Sequence, residues 1–489
     1  MSARSAPAAW PPRQRLMVFV PSTPAAIAYL GPRAFAPLAD RHDLTLVCHP
    51  EVHLGDLDLR DFKEVIVLAP EPAKRASRRV WMMYFGMWAN RKATRRFNNS
   101  FERVFTMNLA YASWWTLFKR YYLPAAVPPV GRLISRLMEW KVGRNTELQA
   151  VIERVQPDLI IGHGRGYDAR DIDLTNAARR AGVPLMSLQL NWDVYAHRGV
   201  LPALPDYVGA WGYQSSVWTE FIHALPPRRT FVLGPPFSDL LRSPHPEPRE
   251  ALMAKLGLPA GTTVLLLAGC GRGVNETGIL IMLEAAIEAG ILKNCCVVYR
   301  PHPLRHRPRY EPNYFEQHFK HVFLDVGMAE RYRDAVERQS AMSKRGEIPM
   351  DYGHVRQLFS VVSVMIAPIT TFMLEAAYFG IPSVEIAFVD EANEAQGNRF
   401  DLPMSSYFQG LPGVFVCTSP RAIVGKMLEA LAFSEDAARV AALRAHVGGA
   451  VYTDGVEVKD RLADAVDRVL HGTAASRYHH LTPWRERDW

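Results

Sequence analysis

Short apolar runs, each followed by a helix-forming stretch, recur along this chain in two successive series. RLMVFVP at 15–21, DLTLVCHP at 43–50 and EVIVLAP at 64–70 open the first, with a helical stretch over 25–40 between the first two. After an interval come a helix ending near Val155, PDLIIGHG at 157–164, a helix over 173–184, LMSLQLN at 185–191, and two runs at 207–211 and 230–233. The second series holds TTVLLLAGCGRG at 262–273, a helix over 276–289, CCVVYRPHP at 295–303, HVFLDV at 321–326, SVVSVMIAP at 360–368, a helix over 371–380 and PSVEIAF at 382–388. Apolar runs of about four to eight residues alternating with helices predict parallel sheets covered on both faces. The fold class is therefore α/β, with two Rossmann-like αβα domains.

At 489 residues the chain is long enough for two cores. The Pro-rich stretch that includes SPHPEPRE (243–250) marks the junction. This divides the chain into an unstructured 1–14, a first domain over 15–235 with an insert at 71–146, a linker at 236–255, a second domain over 256–470 and a tail at 471–489.

Five cysteines, with no CxxC spacing, argue against a disulfide framework and against a zinc site. The opening MSARSAPAAWPPRQ lacks the apolar stretch of a signal peptide, so a cytoplasmic protein is the expectation. The longest uncharged run, QLFSVVSVMIAPITTFML at 357–374, approaches membrane length, but Pro368, Thr370 and Thr371 split it into a strand and a helix start.

Charge is concentrated. The net charge is +8, yet residues 74–144 alone carry 15 Lys or Arg against Glu102 and Glu139. The rest of the chain is therefore slightly acidic. Trp81, Tyr84, Trp88, Trp114 and Trp115 lie among these bases. Aromatic rings and bases together suit an anionic membrane surface, and Arg91, Lys92, Arg95, Arg96, Trp114 and Trp115 are the candidate patch. Nucleic acid is the competing polyanion, but no nucleic-acid motif accompanies the patch, and none is expected as a partner. A helical insert that packs its aromatics beneath a solvated basic face is the structural alternative.

In open parallel sheets ligands bind at the carboxyl ends of strands, and the unusual residues of the second series lie there. Arg300-Pro301-His302-Pro303 follows a β-branched run, and its prolines restrict the backbone around His302. A guanidinium fork and an imidazole N–H suit phosphate oxygens; a rigid surface turn is the alternative. Thr370 and Thr371 stand where a helix begins, an anion-binding position. Glu375 lies one turn later, placed for ribose hydroxyls, or as a plain surface acid. Gly271, Arg272 and Gly273 sit in a Gly-rich loop whose amides can approach a diphosphate. In the first series, Asp193 of Asn191-Trp192-Asp193 and His163 of GHGRGYDARD are the candidate catalytic bases, each expected to face the cleft between the domains. For both, capping a neighbouring helix is the alternative. Asp171 and Asp173 form a DxD pair, which a helix start explains better as N-capping than as metal binding.

YRPHP at 299–303, the helix start TFMLEAAYFGIP at 371–382 and the NWD…PD…WG run at 191–212 resemble bacterial GT-B transferases of surface-polysaccharide assembly. These include the CDP-glycerol glycerophosphotransferases and capsule glycosyltransferases. The resemblance covers residues 155–390 loosely. It implies a nucleotide-activated donor in the second domain and no obligatory metal or other cofactor. By position, Arg300 and His302 would meet donor phosphates or base, Thr370 and Thr371 the phosphates, and Glu375 the ribose. The chain departs from the pattern in carrying threonines where relatives carry a serine pair, and NWDV where they read WDN. The expected activity is transfer of a sugar or glycerol-phosphate unit to a glycan or lipid-linked acceptor, by an enzyme peripheral on the inner face of the plasma membrane. Two alternatives stand: a nucleotide-sugar epimerase of the same fold, and a membrane- or nucleic-acid-binding protein with a relict nucleotide fold.

Overall fold

The computed structural model describes residues 13–55, 57–72, 75, 79, 137, 140, 142–164, 169–196, 201, 203–269, 274–302, 311–338, 351–388 and 407–472. Most of the basic insert lies outside these residues, including Arg91, Lys92, Arg95, Arg96, Trp114 and Trp115. So do Gly271, Arg272 and Gly273.

The first sheet has seven strands, β1 (Arg15–Val20), β2 (Asp43–Cys48), β3 (Glu64–Val67), β4 (Leu159–Gly164), β5 (Leu185–Gln189), β6 (Tyr207–Ala210) and β7 (Thr230–Val232). They run parallel in the order β3-β2-β1-β4-β5-β6-β7. The second sheet has six, β8 (Thr263–Ala268), β9 (Cys295–Arg300), β10 (Val322–Leu324), β11 (Val362–Ala367), β12 (Ser383–Ile386) and β13 (Val414–Cys417). Their order is β10-β9-β8-β11-β12-β13, again all parallel. Helices on both faces explain why the central strands are apolar throughout: every residue of LIIGHG in β4 is buried. The alternation read from the sequence is thus the architecture, two αβα units each wound from a central strand.

The stretch between the two sheets is packed rather than extended. It contains helices Phe237–Leu240 and Arg249–Lys255, and Phe237, Leu241, Leu252 and Met253 belong to a core shared by both units. Trp192, in the loop after β5, joins the same core and meets the Phe408 ring edge-on at 5.0 Å.

Chain direction matters most at the second crossing. Residues 449–452 run back along the first unit, where Gln214 N donates to Gly449 O at 3.0 Å and Tyr452 N to Trp211 O at 2.9 Å. Gly212 permits this approach, since a Cβ there would stand 2.5 Å from the Ala450 carbonyl. Helix Val458–Leu470 then places Leu462, Ala463, Ala465, Val466 and Val469 in the core of the first sheet. Burying an aliphatic side chain of Leu or Val size stabilises by about 1.5–3 kcal/mol, so this helix is a substantial part of that core. Its Asp467 lies 2.8 Å from His42 Nε2 and is ion-paired with Arg41. The sequence division assigned everything from 256 to 470 to the second domain; residues 458–470 pack instead with the first.

The run 357–374 is divided among helix Tyr352–Phe359, β11 and helix Thr371–Phe379. Among the described residues no helix is long and apolar enough to cross a membrane.

Candidate nucleotide site

In the second sheet the chain leaves the central strand β8 toward β9 and β10, then returns on the other side to β11. That reversal opens a crevice at the carboxyl ends of β8 and β11, the position where such sheets receive ligands. Ala268 is in register with Arg300, so β8 and β9 end level.

Arg300 closes β9 and points at two neighbours. Its guanidinium is ion-paired with Asp325, just past the end of β10, and stacks 5.6 Å from the centre of the Phe372 ring. The Asp325 side chain is 1% exposed and also takes His354 Nε2 at 2.6 Å and the Gly327 amide at 3.0 Å. Burial opposes the charge of Asp325, but the His354 hydrogen bond and the Arg300 charge outweigh it and hold the carboxyl at about 2. Asp325 is therefore a fixed anion that sets where the Arg300 guanidinium lies. His302, two residues beyond the strand, is half-buried.

Thr370 and Thr371 stand as the sequence predicts. Thr370 is the N-cap of helix Thr371–Phe379, and its Oγ accepts from the Phe372 amide at 2.9 Å. The first turn of this helix thus lies next to Arg300, joined through Phe372. Glu375 follows one turn on but is not a surface acid. It is 3% exposed, one carboxyl oxygen has no hydrogen-bond partner among the described residues, and burial raises its pKa to about 8 against the lowering charge of Arg300. Its charge in turn helps raise Tyr352, whose ring stacks on Phe237 at 5.6 Å. On β12, Glu385 is likewise buried, held at about 7 by burial despite a hydrogen bond from Gln409.

The loop after β8 begins at Gly269, where a Cβ would stand 2.5 Å from Glu276 Oε2. Glu276 is buried and accepts from Tyr299 Oη at 2.7 Å. The glycine lets the start of helix Glu276–Glu288 fold close under the strand ends.

The first-sheet candidates separate. Asp193 lies in the turn after β5, half-buried, beside the Trp192 that packs on the second unit. His163 does not face a cleft, and here the sequence expectation is corrected. It lies within β4 at 0% exposure, its Nδ1 3.0 Å from Phe19 O, with the Tyr29 and Phe35 rings at 4.5 and 5.4 Å. Burial lowers its pKa to about 4. The reason is the sheet itself: with helices on both faces, a side chain of β4 points into one core or the other. The DxD reading also changes. Helix Ala169–Ala181 begins earlier than predicted, so Asp173 is its fifth residue rather than its cap and is bonded by Arg75 and Arg79. Among the described residues no group of three His, Cys, Asp or Glu is placed to hold a metal.

Sequence reading missed Asp325, His354 and Tyr352. Asp325 had a signal, since HVFLDVG is a strand ending in an acid before a glycine. His354 and Tyr352 had none, because their links to Asp325 and Glu375 run through the fold.

The two wound sheets are those of the GT-B fold. No family model matches the chain, and no curated protein matches its sequence. Solved structures do. A Listeria monocytogenes protein assigned as a UDP-N-acetylglucosamine 2-epimerase is similar with a TM-score of 0.54 and 13% identity, over 94% of this chain and 97% of that one. Methanocaldococcus jannaschii UDP-GlcNAc 2-epimerase, in complex with UDP-GlcNAc and UDP, gives a TM-score of 0.50 at 10% identity, over 92% and 99%. The wall teichoic acid polymerase TagF gives 0.45 at 11%, over 94% and 90%, a score that adds no weight. At such identities the likeness is one of fold.

Proposed function

We propose that the chain transfers a sugar or glycerol-phosphate unit from a nucleotide-activated donor to a glycan or lipid-linked acceptor. The observation that carries the reading is the Asp325-fixed Arg300, set beside the first turn of helix Thr371–Phe379 at the crevice of the second sheet. A guanidinium held by a buried anion and the positive end of a helix dipole together suit a diphosphate. Arg300, His302, Thr370 and Thr371 hold the donor phosphates in this reading, and Gly271, Arg272 and Gly273 contribute amides and charge to the same phosphates. Glu375 takes the ribose hydroxyls. The acceptor hydroxyl gives its proton to Asp193 as its oxygen bonds to the transferred unit, and the bond to the nucleotide phosphate breaks. The leaving phosphate's new charge is stabilised by Arg300 and the helix start. A single displacement of this kind inverts an anomeric centre.

Thermal unfolding in the presence of a panel of nucleotide sugars and CDP-glycerol tests the donor site. A ligand at about 100 times its Kd stabilises by about 2.7 kcal/mol. The same donor is then incubated with and without acceptor. Product only with acceptor is expected; turnover of donor alone would replace transfer by epimerisation.

A further inference from the structure

A cavity of about 190 Å3 opens at the carboxyl ends of β1, β2 and β3 in the first sheet, away from the crevice of the second. Water occupies about 30 Å3 in the liquid, so the space admits a phosphate and the atoms that esterify it. Much of its wall comes from the two places where the basic segment leaves and rejoins the sheet: residues 68–72 with Arg75 and Arg79, and residues 144–148.

Arg75 and Arg79 bond Asp173 at 2.8 and 2.7 Å, and Arg79 reaches Glu71 at 2.5 Å, with Arg75 also paired to Glu71. Two guanidiniums and two carboxylates balance one another and tie the segment to helix Ala169–Ala181. Beyond this knot, Arg144, Arg170 and His49 line the same space against Glu147, which already accepts from the Ala69 amide at 2.5 Å. Arg170 is partly offset by Glu51 at 3.5 Å, but Glu51 is 73% exposed and screened by water. Helices Thr146–Val155 and Ala169–Ala181 both start at the cavity, each bringing the positive end of its dipole. The buried Nε atoms of Arg75 and Arg79 have no acceptor among the described residues. The balance favours an anion. Donors approach from two helix starts and from the root of the basic segment, which suits a tetrahedral phosphate better than a planar carboxylate.

We infer that this cavity binds a phosphate ester, and that the ester belongs to the acceptor. The second clause rests on the transferase reading; the anion site does not. The acceptor would be seated by its phosphate at the root of the 74–144 segment, on the sheet opposite the donor.

The test titrates the full chain with inorganic phosphate at constant ionic strength and follows thermal unfolding. Wild type, Arg300→Ala and the double variant Arg144→Ala/Arg170→Ala are compared. A saturable rise in Tm is expected for wild type and Arg300→Ala, and at least tenfold weaker binding for the double variant. Should the double variant not fold, Arg144→Gln/Arg170→Lys serves the same comparison. A phosphate response lost with Arg300→Ala but kept in the double variant would assign the anion to the donor crevice and overturn the inference, as would no response at all. Competition by a short-chain dialkyl phosphate identifies a lipid-linked diester as the source, and absence of competition a monoester; either keeps the site. If nucleotide sugars fail to bind while the phosphate response persists, the transferase reading falls and the cavity stands.

Discussion

Asp325 Oδ1 sits 2.6 Å from His354 Nε2, while its carboxylate is also ion-paired with Arg300. One buried acid thus joins the ends of β9 and β10 to helix Tyr352–Phe359. Replacing it with Asn leaves Arg300 and His354 without their shared anion. An unfolded Asp titrates near about 4; Asp325 is held at about 2. A depressed folded-state pKa stabilises above the unfolded value and ceases to as pH falls through the folded one. Asp325→Asn should therefore flatten the loss of stability between roughly pH 4 and 2, read from urea midpoints across that range.

Donor affinity is expected to depend on both Arg300 and His302. Charge-assisted hydrogen bonds contribute about 1.5–3 kcal/mol, so His302→Ala and Arg300→Ala should each weaken nucleotide binding roughly ten- to hundredfold. Calorimetric titration measures the loss, and circular dichroism checks that both variants fold. Unchanged binding in both would reduce the motif to a turn.

Glu375 gives two readouts. Burial raises its pKa to about 8, so the folded state keeps a proton that the unfolded chain releases near about 4.3. The stability this contributes is complete below that value and is lost as pH rises through the folded one. Glu375→Gln should be relatively more stable than wild type at pH 8 than at pH 5, and Glu385, held at about 7, leaves a residual slope in both proteins. In binding, the variant should lose more affinity for a ribonucleotide than for an analogue without ribose hydroxyls. Equal losses for the two ligands would confine Glu375 to the fold.

His163 and Asp193 are expected to part company. His163→Ala removes a ring packed between Tyr29 and Phe35 and should cost about 3 kcal/mol, the scale of other aromatic deletions in cores. Turnover at temperatures where the variant is folded should persist. Asp193→Asn should fold normally and lose turnover while keeping donor affinity. Wild-type donor turnover in Asp193→Asn would remove it as the base.

How much of this was legible follows from range. The strands β1, β2, β8 and β9 stand where apolar runs meet turn residues, and the helix start at Thr371 stands where a strand, a proline and two threonines predict it. These are local signals. His163 failed because a strand-end position says nothing about which core covers it. Asp173 failed because its arginine partners sit 94 and 98 residues away in sequence. Helix Val458–Leu470 is amphipathic and easy to see as a helix, but its pattern does not say which sheet it joins. The Arg300–Asp325–His354 set needed the parallel order of β9 and β10 before it could be assembled.

The basic patch calls for a separate experiment. If the 74–144 segment docks on anionic lipid, the protein should bind acidic vesicles and release them as salt rises, because attraction decays over a Debye length of about 8 Å at physiological ionic strength. Changing Arg91, Lys92, Arg95 and Arg96 to Ser should cut vesicle binding and transfer to a membrane-borne acceptor. Nucleotide affinity and transfer to a soluble acceptor should survive. Binding to nucleic acid with none to vesicles would favour the rival partner.

The contact between His42 and Asp467 spans 425 residues. Translation proceeds at about 5–20 residues per second, so roughly 20–85 s separate the synthesis of the two. From the completion of β7 at Val232 until residues 458–470 are made, the first sheet stands with one flank of its core uncovered while the second unit is synthesised. Folding by completing one unit before the next is therefore closed to this polypeptide. Its earliest strands must be shielded, by a chaperone or by loose collapse, until residues 458–470 arrive to seal them.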